Sequence, residues 1–279
     1  MDGIIVNLAP TGMVPTKAMN PHLPVSAEEI VEDAKRCLAL GVSIVHLHAR
    51  DELGQPTYRK EVYGQIIAGI REAYPEAIIC VSLSGRHFNG FEERADPLLL
   101  TGDLKPDMAS LTLGSMNFSR TASVNSPETN QRLIARMAEA GVKPELEVFD
   151  SGMVNYARYL ADRGLIQPPF YFNFLLGNVA TAQAKPLHLG MLMAELPANS
   201  LWCGGGIGAD QLAMNTMGML YGNGARVGLE DYLWLDKERK HLASNVDMVQ
   251  RVVKLAELMG KKIATPREVR RALGLDSHV

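Results

Sequence analysis

Residues 26–48 read SAEEIVEDAKRCLALGVSIVHLH, one complete passage from helix to strand. Ser26 followed by Glu29 is a capping box, in which each side chain satisfies a backbone N–H of the other end. Ile30, Ala34, Cys37 and Leu38 then recur at helical spacing until Gly41 stops the helix. The chain re-enters at once a β-rich run, Ser43 to His48. A helix feeding a short apolar strand is half of a βαβ unit, the building block of parallel sheets.

The alternation continues along the whole chain. Eight β-rich runs are predicted: Ile4 to Leu8, Ser43 to His48, Ile78 to Ser84, Met108 to Leu113, Glu145 to Phe149, Phe170 to Leu175, Leu201 to Gly204 and Ala225 to Gly228. Several are apolar almost throughout, as expected of strands buried on both faces. Ser126 with Pro127 opens another helix, and Val246, Val249, Val253 and Ala256 make a helical stripe that Gly260 ends. Thr265-Pro266-Arg267-Glu268 starts a short last helix that stops near Gly274. No Ser/Gly-rich or Pro-rich linker divides the series, so residues 1–279 are expected to form one α/β domain, a (β/α)8 TIM barrel with a short C-terminal helix extension. A doubly wound open sheet is the alternative. It calls for GxGxxG after strand one, where this chain has Ala9-Pro10-Thr11-Gly12-Met13-Val14-Pro15.

Of 279 residues, 47% are hydrophobic and 21% charged, the composition of a folded chain with a large core. Twenty-eight basic against 31 acidic side chains give a net charge of -3, with no electrostatic footprint for nucleic acid or anionic lipid. The expected partner is a small molecule. Cys37, Cys80 and Cys203 stand singly in apolar runs, which fits a reducing cytoplasm rather than a disulfide framework. No apolar stretch reaches the roughly 20 residues that span a bilayer, and Met1-Asp2-Gly3 lacks the basic n-region of a signal peptide, so a soluble, unprocessed chain is expected.

His46-Leu47-His48 is the sharpest local signal. Strand side chains alternate, so both imidazoles project to one face at the carboxyl end of a strand, where barrels place their active sites. Two hydrogen-bonded core histidines are the plain alternative to a metal pair. Glu230-Asp231 follows strand eight, and strands two and eight both flank strand one in a closed barrel. Glu230 can therefore complete a two-histidine, one-carboxylate site suited to zinc, with Asp231 and Arg226 beside it. Without the histidines, the two acids would read as ordinary residues near a helix start.

Glu145-Leu146-Glu147 points two carboxylates into the barrel, where something must compensate them: a cation, a basic side chain or a proton. Trp202 to Asp210 ends strand seven and opens a helix, and its Gly204, Gly205, Gly206 and Gly208 could bring backbone amides to a phosphate or make a tight turn. Ser82, Ser84 and Gly85 close strand three and offer small donors for a carboxylate. Arg86 follows them and suits a negative or polar tail, whereas Met13 and Val14 would give an apolar wall.

Together these pieces resemble the β-keto acid cleavage enzymes, the family typified by 3-keto-5-aminohexanoate cleavage enzyme. The matching elements are Thr11-Gly12, His46-Leu47-His48 with Arg50-Asp51, Pro144-Glu145-Leu146-Glu147-Val148 with Ser151-Gly152-Met153, Gly206-Ile207-Gly208, Arg226 to Asp231, and Ala264-Thr265-Pro266. The resemblance implies a barrel that binds Zn2+ through His46, His48 and Glu230. It implies conversion of a β-keto acid and acetyl-CoA to acetoacetate and a new acyl-CoA, by way of an enolate and a retro-Claisen step. Asp231 oriented by Arg226 would be the base, Ser82 and Glu147 would support substrate and intermediate, and Ser110 stands where the family can carry threonine. Thr11 and Gly85 join the substrate contacts, and the family is usually tetrameric. The aminohexanoate enzyme has a glutamate for the substrate ammonium shortly after Thr-Gly, and Val14 stands there in this chain. A contact of Gly205, Gly206 and Gly208 with CoA phosphate is an expectation from the glycine spacing. A metal-dependent aldolase or other enolate-forming lyase without CoA is the second enzymatic reading, and a barrel kept only as a binding scaffold is the third.

Overall fold

The computed structural model describes residues 1–276. Its strands are β1 (Ile5–Leu8), β2 (Ile44–Leu47), β3 (Ile78–Val81), β4 (Met108–Thr112), β5 (Lys143–Val148), β6 (Phe170–Leu176), β7 (Ser200–Gly206) and β8 (Gly224–Val227). They close into a parallel barrel in the order β1-β8-β7-β6-β5-β4-β3-β2, so β1 lies between β8 and β2. The register sets Asn7 beside Arg226 and Glu147 beside Thr112 and Asn173.

Helices α1 (Ala27–Leu38), α2 (Lys60–Ala73), α3 (Phe91–Ala95), α4 (Pro127–Ala140), α5 (Ser151–Asp162), α6 (Pro186–Ala194), α7 (Gln211–Tyr221) and α8 (Asn245–Leu258) follow in sequence, with α9 (Pro266–Leu273) last. The Ser26–Glu29 and Thr265–Glu268 capping boxes are both formed. In α8 the fully buried stripe is Met248, Val249, Val252 and Ala256, while Val246 and Val253 flank it half-buried. The expected stripe is thus rotated by part of a turn: at about 100° per residue the buried four share one arc about 100° wide, and Val253 and Val246 lie just past its Val249 edge.

Two apolar layers hold the barrel. Outward residues such as Val45, Leu47, Val81 and Leu146 pack against the helices. Inside, Ile5, Ile44, Ile78, Met108, Tyr171 and Cys203 fill the amino-terminal half and meet Ala264, Val269 and Leu273. The last helix is therefore a plug in the bottom of the barrel rather than an appendage. Arg270 fixes it, donating to Asp107 Oδ1 at 2.8 Å and to the carbonyls of Glu76 and Ala77, both at 3.0 Å. At the other end, two short hairpins, Ala49–Arg50 with Pro56–Thr57 and Met116–Asn117 with Ala122–Ser123, stand over the carboxyl ends of the strands. Among the described residues no helix is long and apolar enough to cross a membrane. Cys37, Cys80 and Cys203 are buried and free.

Candidate active site

Arg226 organises the barrel's upper interior. Arg226 is 1% exposed, and its guanidinium lies against four carboxylates. Nε donates to Asp231 Oδ2 at 3.1 Å, Nη2 to Glu230 Oε1 at 2.8 Å and Nη1 to Glu147 Oε1 at 3.1 Å, while Glu145 Oε2 lies 3.9 Å from Nη1. A planar fork with five donors can do this where a point-charge ammonium cannot. Of the three ways to hold Glu145 and Glu147 inside the barrel, the basic side chain is thus present.

His46, His48 and Glu230 converge beside it. His46 Nε2 is 3.3 Å from His48 Nε2, His48 Nε2 is 3.2 Å from Glu230 Oε1, and His46 Nε2 is 3.9 Å from that oxygen. Ligands about 2 Å from a shared tetrahedral ion stand roughly 3.3 Å apart, so the three atoms fit a metal of zinc's size. Glu230 Oε2 is buried without a partner, as suits a carboxylate that has more to bind. Gly12 shapes the site: its φ is +67°, and a Cβ there would stand 2.7 Å from Glu230 Cγ. Arg50 pins this loop by donating to the carbonyls of Gly12 and Pro15 at 2.7 and 2.8 Å.

Behind His46 sits a second group. His46 Nδ1 donates to Glu145 Oε2 at 2.6 Å, which leaves Nε2 with its lone pair toward His48 and Glu230. Asn7 donates to Glu145 Oε1 at 2.7 Å, and the Cys80 thiol approaches Oε2 at 3.2 Å. Burial and the Glu145 charge push that thiol well above its ordinary range, so it stays S–H and serves as a donor. Burial alone would raise Glu145, but His46, Arg226 and Asn7 overcome it and hold the carboxyl at about 2. Burial and Arg226 pull His46 down, yet Glu145 and Glu230 win and raise it. Carboxylates that draw a proton onto an imidazole in this way draw a metal cation for the same reason. Asp231 behaves oppositely: burial, with Glu230 adding to it, lifts its carboxyl to about 6 against the pull of Arg226.

These groups open onto a cavity of about 380 Å³ at the carboxyl end of the barrel. His48, Ser82, Glu147, Arg226, Glu230 and Asp231 line it, with Ser84, Arg86, Val14 and Gly208. Several expected contacts lie elsewhere. Thr11 is buried outside the lining. Ser110 lies deeper in the barrel and accepts from the Leu83 N–H at 3.2 Å. The threonine on the cavity wall is Thr112, two residues along the same face, which donates to Glu147 Oε2 at 2.7 Å. Gly205 and Gly206 belong to β7 itself, and their Cβ positions are taken up by Leu175 and by the Asp210–Gln211 backbone. Gly208 has φ +68° and faces open space, but its N–H donates to the Asp231 carbonyl at 2.8 Å. The sequence reading does not single out Asn7 or Thr112, nor give Cys80 a place at the site. A polar side chain inside an apolar strand, as in Ile5-Val6-Asn7-Leu8, is the signal that would have found the first.

A model of the β-keto acid cleavage enzymes matches residues 3–275. The chain is 38% identical over 276 residues to the 3-keto-5-aminohexanoate cleavage enzyme of Acetoanaerobium sticklandii, covering 99% of each chain. It is 34% identical over 279 residues to the 3-oxoadipate:acetyl-CoA acetyltransferase of Cupriavidus necator, covering 98% of this chain and 95% of that one. Among solved structures, apo ObcA superposes with a TM-score of 0.82 at 22% identity, over 91% of this chain and 66% of that one, a likeness of fold.

Proposed function

Because the chain belongs to the β-keto acid cleavage enzyme family, we propose that it condenses a β-keto acid with acetyl-CoA and releases acetoacetate and the CoA ester of the shortened acid. It is an enzyme of acyl transfer, and the proposal concerns the metal, the residues and the course of the reaction. The observation that carries it is the meeting of Asp231, Arg226 and the His46–His48–Glu230 cluster at the floor of one cavity.

A zinc ion held by His46, His48 and Glu230 would supply the Lewis acidity that polarises the ketone. Asp231, lifted by burial, accepts a proton from the methylene between ketone and carboxylate at near-neutral pH. Arg226 Nε keeps its carboxylate aimed and compensates its charge. The methylene carbon attacks the acetyl thioester, and the carbon–sulfur bond breaks to release the CoA thiolate. That thiolate attacks the original ketone carbon. The adjoining carbon–carbon bond then breaks, giving the new thioester and an acetoacetate carbanion that takes the proton back from Asp231. Ser82 lines the wall and can donate a hydrogen bond to a developing oxyanion, while Glu147, accepting from Thr112 and from Arg226, holds the guanidinium in place.

The test is a panel of β-keto acids with acetyl-CoA and the metal-loaded protein, read as acetoacetate formed. Acetoacetate from none of them would overturn the proposal, and cleavage with acetyl-CoA omitted would favour the lyase instead. Asp231→Asn preserves shape and the contact with Arg226 but not basicity. Its kcat is expected to fall about 10²- to 10⁴-fold with bound metal unchanged; a fall of less than about threefold would give the proton transfer to another group. A homotetramer in the cytoplasm completes the proposal. Leu187 on α6, 73% exposed, and Leu220 and Tyr221 on α7 are apolar surface that a subunit contact would cover.

A further inference from the structure

We propose that Arg86 reads the far end of the β-keto acid and that this end is a second carboxylate, an inference that rests on the reaction proposed above. Sequence leaves two walls in competition, the apolar Met13–Val14 pair and Arg86, and the structure separates them. Val14 is 45% exposed at the cavity rim and has no acid in its place for an ammonium group. Arg86 is half-buried in the wall, its guanidinium carbon 3.9 Å from the Phe118 ring centroid. Phe149 braces Phe118 edge-on at 5.9 Å.

The backbone beneath Arg86 is locked. A Cβ at Gly85 would stand 2.3 Å from the Val124 carbonyl, so only glycine permits that approach. Arg94 ties the loop from below, donating to the Leu83 carbonyl and to Asn125 Oδ1, both at 2.8 Å. The Arg86 side chain itself has little to bind: Nε reaches Thr121 Oγ1 at 3.4 Å, and among the described residues no carboxylate pairs with it. The cavity's own acids, Glu147, Glu230 and Asp231, are all engaged by Arg226. A preset, partly desolvated fork with its ends unspent is built for a carboxylate supplied by the ligand. Ser84 and Ser123 line the same cavity and add hydroxyl donors. The keto acid's first carboxylate belongs at the reacting end, so the one Arg86 meets is the second. Arg239, exposed on the loop after β8, is a second cation on the cavity's lining.

The experiment compares kcat/KM for a β-keto diacid, its neutral terminal amide and an amine-tailed analogue of equal length, in the wild type, Arg86→Gln and Arg86→Lys. The wild type is expected to favour the diacid over the amide by about 100-fold, and Arg86→Gln to bring that ratio near one, mainly through KM, with Arg86→Lys between them. Each ratio is taken within one preparation, so a misfolded fraction cancels. A diacid preference that survives Arg86→Gln overturns the inference. So does a rise in the KM for acetyl-CoA that is equal for every keto acid, which would make Arg86 a CoA contact. If no keto acid turns over, the proposed reaction fails separately, and equilibrium binding of glutarate against its monoamide still decides: equal affinity in the wild type overturns the carboxylate assignment.

Discussion

Arg226→Met is expected to lower stability by about 3–5 kcal/mol, the cost of leaving buried charges without their partner. For a chain of this size that is a fall in melting temperature on the order of 10 °C. The cause is the count of acids around one guanidinium: Glu145, Glu147, Glu230 and Asp231 all lie within 4.0 Å of it. Without it, like charges would face one another in a buried space with nothing to compensate them. Turnover should fall with stability, since Asp231 loses both its orientation and its counter-charge. Arg226→Lys separates the two effects: an ammonium restores a positive charge, and with it part of the stability, but cannot hold Glu230, Glu147 and Asp231 at once. Thermal denaturation of metal-loaded protein checks this, and a melting temperature within about 2 °C of the wild type for Arg226→Met would mean that something else holds the acids.

Removal of a proposed metal ligand should have the largest effect on activity. His46→Ala and Glu230→Gln are each expected to lose stoichiometric zinc by elemental analysis and at least about 10³-fold in kcat/KM. Glu145→Gln offers a graded comparison. It leaves all three ligand atoms in place but weakens the hydrogen bond that fixes the His46 tautomer, and the expected loss of metal affinity is about 10- to 100-fold. Full zinc occupancy in both His46→Ala and Glu230→Gln would remove the metal site from the proposal. Full loss in Glu145→Gln would instead make Glu145 a ligand, through the His46–Cys80–Glu145 grouping that lies behind the first.

The barrel was legible because its signals are periodic and local: capped helices, apolar strands, and histidines two residues apart on one strand. What escaped was set by contacts between distant segments. The predicted end of strand seven at Gly204 fell short because Gly205 and Gly206 resemble a turn in sequence, yet they are strand residues that make room for Leu175 and for the start of α7. Ser110 enters only through the resemblance, as a position where the family can carry threonine, and the pairing of β4 with β5 sets it level with Glu145 and Thr112 level with Glu147. No spacing rule reveals that Arg226 binds Glu147 across the barrel, 79 positions away. Sequence did find the direction of the acids and the need for compensation, but not which of three forms it would take.

The plug made by α9 has a kinetic corollary. With the amino-terminal end of the barrel filled by Val269, Leu273 and their neighbours, the cavity among the described residues opens at the carboxyl end. On the reaction proposed above, a keto acid seated at the floor would have to arrive before the bulkier thioester that closes over it. The new thioester would then stand nearer the mouth than acetoacetate. Product-inhibition kinetics is expected to show that order, with the small acid first in and its successor last out.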